Sequence, residues 1–182
     1  MLYFFSKGGF LMYPILLGSI VGVAILISKF IQYRKILREL EIPLDDIIEN
    51  KIKPTILAPI LEGLKNNCDE KEASIIGTKQ IRRIEKGLSW LALIASIVPL
   101  LGLTGTVTGM IKAFIVIEKS TSVNPSMLAG GIWEALITTA AGLMVAVLIH
   151  IGHHYLENRA DDIAFLLKEI TNKLYMRERN GI

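Results

Sequence analysis

Hydrophobic and polar positions are sharply segregated along the chain. Gly8–Ser28 and Leu88–Ile111 contain no charged side chain, and Leu128–Ile149 contains one, Glu134. Each run matches the ~20 residues that a helix rising about 1.5 Å per residue needs to cross a hydrocarbon layer about 30 Å thick. Three soluble core helices of that length, all depleted of charge, are improbable, so the pattern predicts three membrane-spanning helices. The intervening Lys29–Gly87 is charged, with Pro43 before Asp45 and Asp46, and then Pro54 and Pro59, breaking it into short helical pieces. After the third run, Leu156, Ala160, Ile163, Leu167, Ile170 and Leu174 recur at alternating steps of four and three, one stripe of a helix. A third span running into this stripe makes a helix from about Pro125 to Arg177, far longer than a bilayer is thick. The stripe packs either on the chain's own first loop or on neighbouring subunits.

These runs divide the chain into an outer N-terminus and first span (1–28), a cytoplasmic helical segment (29–87), a second span (88–117), a short outer loop (118–126), a third span (127–154) and a cytoplasmic tail (155–182). The predicted fold is an all-α membrane protein of three transmembrane helices with long cytoplasmic helical extensions. Pro125 suits the first turn of span three, and the short loop before it makes spans two and three an antiparallel hairpin. Trp90 and Trp133 fall near opposite membrane faces of that hairpin, where indole rings settle. The first run has no basic leader beyond Lys7 and no small-residue cleavage site, so it reads as a retained span.

Composition, 52% hydrophobic with a formal net charge of +3, adds an orientation. Basic residues crowd the stretch from Lys29 to Lys86 and the tail, whereas only Lys112 and Lys119 lie between spans two and three and only Lys7 precedes span one. Basic loops are retained in the cytoplasm, which puts the N-terminus outside and the first loop and the C-terminus inside. Such flanks anchor a protein on anionic lipid, so the bilayer rather than nucleic acid is the expected partner. Cys68 is the single cysteine, which excludes an internal disulfide. There is no phosphate-binding loop, no Ser/His/Asp arrangement and no metal signature, so neither an enzyme nor a cofactor is expected. His150, His153 and His154 share a helical face without a Cys or acidic ligand among them and read as a polar belt at the end of span three.

Lipid gives helices little hydrophobic reason to associate, so close contact needs small residues and a few polar ones. Span one offers Gly18 and Gly22. Span two offers Gly102, Gly105 and Gly109 among Thr104, Thr106 and Thr108, and span three Gly131, Ala135, Thr138, Thr139, Gly142 and Ala146. Pro99 cannot donate to the Ala95 carbonyl, which predicts a kink in span two. Membrane threonines commonly bond their own helix backbone, but several of them among glycines can also hold water without fixing a charge. Glu134 is the strongest single signal, because a charge at the bilayer centre costs about 2.5–3.5 kcal/mol and usually marks a pathway. A structural hydrogen bond near the outer end of span three is its competing explanation. Thr138 shares the face of Glu134, whereas Thr139 is turned about 140° away.

The motifs Pro99-Leu100-Leu101-Gly102-Leu103-Thr104-Gly105-Thr106-Val107-Thr108-Gly109-Met110 and Gly131-Ile132-Trp133-Glu134-Ala135-Leu136-Ile137-Thr138-Thr139-Ala140-Ala141-Gly142-Leu143, on consecutive spans after Gly8-Gly9-Phe10-Leu11-Met12-Tyr13-Pro14, resemble the ExbB/TolQ/MotA proton-channel family, most closely ExbB-like proteins. The resemblance implies a ring, usually a pentamer, around the single-span helices of an ExbD- or TolR-like partner that supplies a proton-binding aspartate. It implies pore positions at Thr106 and Thr139, with Glu134 as the family's glutamate and Thr138 beside it. The function implied is energy transduction from the proton-motive force, through a TonB-like protein, to outer-membrane transport. A TolQ-like envelope role or a gliding or flagellar-type stator is the near alternative, although three spans differ from the four of flagellar MotA-like proteins. A structural membrane scaffold without an ion path is the alternative of another class.

Overall fold

A computed structural model describes residues 8–40, 54–66, 68–120 and 125–180. Pro43, Asp45, Asp46 and the tip of the loop before Pro125 lie outside the described residues. The described chain is helical throughout: α1 (Met12–Leu40), α2 (Ala58–Lys65), α3 (Glu70–Glu85), α4 (Leu88–Glu118) and α5 (Pro125–Asn180). Three of these, α1, α4 and α5, are long and apolar enough to cross a membrane. Pro125 opens α5, where its missing N–H costs nothing. Helix α4 continues through Pro99 without interruption.

The chain forms two compact units. The first comprises Met1–Leu26 and Ser89–His153, and the second Ile27–Leu88 and His154–Ile182.

In the first unit α4 and α5 run antiparallel and touch through their smallest residues. The buried face of α4 reads Ala95, Val98, Gly102, Gly105, Gly109 and Ala113, and that of α5 reads Ala135, Thr138, Gly142, Ala146 and Ile149. The backbones themselves come together. A methyl group on Gly109 would stand 2.9 Å from the Gly131 carbonyl oxygen, and one on Gly142 the same distance from that of Val98. Both lie inside normal contact, so only glycine fits. The face of α1 bearing Gly18 and Gly22 meets Ile94, Val98 and Ile149. Opposite these contacts, Leu17, Ile20, Leu100, Val107 and Met144 are exposed, an apolar exterior suited to lipid or to other membrane helices.

The second unit packs around large apolar side chains. The α5 stripe Leu156, Ala160, Ile163, Leu167, Ile170 and Leu174 is buried within the single chain, as are Ile56, Leu57, Ile60 and Leu64 from the α2 region and Ala73 and Ile84 of α3. Own-chain packing is therefore what covers the stripe, with full burial of each leucine or isoleucine worth about 1.5–3 kcal/mol. Asp69 precedes α3, and Glu72 reaches back to accept its backbone N–H at 3.4 Å, half of a capping box. At the other end of α3 the Ile84 carbonyl is one of the last-turn acceptors left without a helical partner. Lys29 Nζ (2.8 Å) and the buried Tyr33 hydroxyl (3.1 Å) both donate to it from α1. The cation also complements the negative end of the helix dipole. Gly87, at φ +109°, then turns the chain into α4 through a left-handed conformation that side chains rarely adopt.

Three substitutions check these contacts in detergent-purified protein. Gly109→Leu overpacks the α4–α5 joint and should cost about 1–3 kcal/mol or prevent folding, whereas Gly130→Ala, which has nothing within 4 Å, should leave the melting temperature unchanged or raise it. Tyr33→Phe leaves Lys29 on the Ile84 carbonyl, so the loss should be only about 1 kcal/mol, a melting shift of about 2–4 °C.

Candidate ion-path site

The site arises from the glycine joint. Because Gly102 has no side chain, the Cα of Thr139 lies 3.2 Å from where a Cβ would be, and the Thr139 hydroxyl donates across the helices to the Gly102 carbonyl at 2.8 Å. Neighbouring hydroxyls on α4 stay local. Thr106 donates to Leu103 at 2.6 Å, Thr104 to Leu100 at 2.8 Å and Thr108 to Thr104 at 2.9 Å, all carbonyls of their own helix. Their protons are thereby used and their lone pairs remain as acceptors.

Beside the joint, Thr138 is 1% exposed and its hydroxyl lies 3.0 Å from the Gly8 carbonyl and 2.6 Å from that of Glu134. It ties the segment before α1 to α5. Gly9 follows with φ +67°, and a Cβ there would collide with the Glu134 carboxylate, so glycine lets the backbone lie against that acid. Glu134 Oε1 in turn accepts from Lys112 Nζ of α4 at 2.7 Å. The carboxylate is 26% exposed and the ammonium 60%, which places the pair at a mouth rather than in a sealed interior. A cavity of about 280 Å³ opens there, lined by Gly8, Phe10, Leu11, Thr104, Gly105, Thr108, Lys112, Glu134 and Thr138. It has room for several waters and offers both signs of charge with hydroxyl and carbonyl oxygens between them.

The structure therefore distributes the residues singled out from sequence over three places. Glu134 and Thr138 share the cavity, Thr139 sits at the Gly102 joint, and Thr106 lies outside the cavity with its hydroxyl on its own helix. Gly102, Gly109, Gly131 and Gly142 are points of helix contact, and Gly105 is filled by the Thr138 side chain. His150 and His154 are exposed. Sequence reasoning missed Lys112, which it counted only as a loop charge. The missed signal was the hairpin register: Lys112 and Glu134 stand at nearly equal distances from the turn that Pro125 follows, as do Gly109 and Ala135.

Among known proteins, the chain is 33% identical over 168 residues to the protein called ExbB-like 1 of Synechocystis sp., covering 79% of this chain and 65% of that one. It is 40% identical over 104 residues to the biopolymer transport protein exbB1 of Vibrio cholerae (57% of this chain, 46% of the relative). With the Tol-Pal system protein TolQ of Haemophilus influenzae it shares 36% identity over 106 residues (53% and 46%). The matches span about half to two thirds of the length of these relatives. Residues 41–169, which include the glycine-packed hairpin and the Lys112–Glu134 ion pair, match the MotA/TolQ/ExbB proton channel family, and the chain is a multi-pass membrane protein of that family, most like its ExbB members.

Proposed function

We propose that this chain is the ring subunit of a proton-driven machine of the bacterial inner membrane, working as ExbB-like proteins do with an ExbD-like single-span partner and a TonB-like protein. The observation that carries the reading is the α4–α5 hairpin, in which hydroxyls and one ion pair are set into helices otherwise built for lipid. Such groups are costly in a membrane unless they face water or a polar partner. In a ring, a pentamer by family resemblance, Thr106 and Thr139 line the central path and the partner's aspartate carries the proton. The N-terminus faces outward and the second unit lies in the cytoplasm, in keeping with the distribution of basic residues.

The chain's own part is positional. Thr139 holds the Gly102 carbonyl and fixes the helix spacing, while Thr106 presents acceptor lone pairs. Lys112 keeps the Glu134 carboxylate paired, so the hairpin carries no uncompensated charge beside the path. Each proton crossing releases roughly 2.3 kcal/mol per 100 mV, so a few in sequence can drive a conformational step. The similarity to a TolQ protein supports a second reading, an envelope role of the TolQ kind. Restoration of TonB-dependent uptake in a strain lacking its ExbB and ExbD separates the two.

Interhelical hydrogen bonds in membranes average about 0.6 kcal/mol, so Thr139→Val should barely change thermal stability. Its proton flux, measured in vesicles with the co-expressed partner, should nevertheless fall at least tenfold, and Glu134→Ala should fall similarly. Lys112→Met should also lower flux, because it leaves the carboxylate unpaired. Normal flux in Thr139→Val and Glu134→Ala together would remove the ion-path assignment. The protein in mild detergent should run as a closed oligomer, and a monomer at every concentration would refute the ring.

A further inference from the structure

Helix α1 carries a cationic face that neither its packing nor the hairpin uses. Arg34, Lys35 and Arg38 line, with Phe30, Ile31 and Glu39, a cavity of about 480 Å³. Its wall is apolar: the Arg34 guanidinium lies 4.4 Å from the centre of the Phe30 ring, and Ile31 is 63% exposed. The Glu39 carboxylate is already engaged, accepting the Thr55 backbone N–H at 3.0 Å and standing 3.9 Å from Lys35. Among the described residues, no carboxylate lies within ion-pair distance of Arg34 or Arg38.

Depth along the helix gives this face its meaning. Ile27, Ile31, Arg34 and Arg38 follow steps of four, three and four and so form one stripe. The charge-free run ends at Ser28, so Arg34 and Arg38 stand about 9 and 15 Å beyond it along the axis. Helical side chains lean toward the N-terminus, here back toward the apolar run. Long basic side chains can thereby place their heads at the polar layer, which adds about 5–8 Å to each side of the hydrocarbon. Exposed Ile27 and Ile31 then lie at acyl-chain depth directly below the cations.

We propose that this face of α1 is a binding site for an anionic phospholipid, with the phosphate held between Arg34 and Arg38 beside Lys35 and an acyl chain laid along Ile27, Ile31 and the edge of Phe30. Planar guanidinium groups suit a bidentate grip on phosphate oxygens. A zwitterionic lipid would bring its own cation among three others. The site is independent of the ion path and of the partner, so it stands or falls separately from the proposed function.

The test uses the full chain, reconstituted in nanodiscs of phosphatidylcholine mixed with phosphatidylglycerol and then released for native mass spectrometry. The wild-type protein should retain phosphatidylglycerol in preference to phosphatidylcholine. In R34Q/R38Q, with elution and melting temperature as in wild type, that preference should fall by about fivefold for each charge removed. Equal retention of both lipids by the wild type would overturn the proposal, as would an undiminished preference in the double variant. Near-complete disulfide cross-linking of Arg38→Cys to a second copy would also overturn it, since the face would then be a subunit contact.

Discussion

The close approach of two backbones is the constraint from which the membrane unit follows. Lipid tails solvate leucine as well as another leucine does, so α4 and α5 cannot be held together by burial of large apolar groups. They are held by contact area at short range, and that requires Gly109, Gly131 and Gly142, where a methyl group would overlap the facing helix, and favours Gly102, where one would be crowded. The same closeness lets one hydroxyl, that of Thr139, cross from helix to helix. At a spacing set by larger residues it would have turned to its own backbone, as Thr104, Thr106 and Thr108 do.

The ion pair depends on that joint as well. An antiparallel register locked by glycines brings Lys112 to Glu134, although the two are widely separated in sequence. An unpaired carboxylate in this setting would be expensive, and the partly exposed pair at a cavity mouth avoids the greater cost of burying both charges. Gly9 and Thr138 complete the arrangement: the Gly8 carbonyl accepts from the Thr138 hydroxyl, and glycine at position 9 lets the backbone lie against the acid.

The second unit solves the opposite problem. Its helices are charged outside and apolar inside, and its stability comes from ordinary burial along the α5 stripe. The polar care is spent at helix ends, where Glu72 serves the start of α3 and Lys29 with Tyr33 serves its finish. One chain thus packs small residues in its first unit and large ones in its second.

The sequence was enough for the three long apolar helices, the hairpin and the α5 stripe, because charge-free length and helical periodicity are one-dimensional properties of a chain. It also singled out Glu134, whose charge stands alone in an apolar run. Packing in three dimensions settles that the stripe is covered by the chain's own helices, that Thr138 and Glu134 share a cavity while Thr106 stays outside it, and that Lys112 is the partner of the acid. The reason is physical: a hydroxyl can satisfy itself on its own helix or on a neighbour at similar energy, and an ammonium on a flexible stem finds its partner only once the register of the facing helix is set. Those choices rest on distances between backbones, which local sequence does not contain.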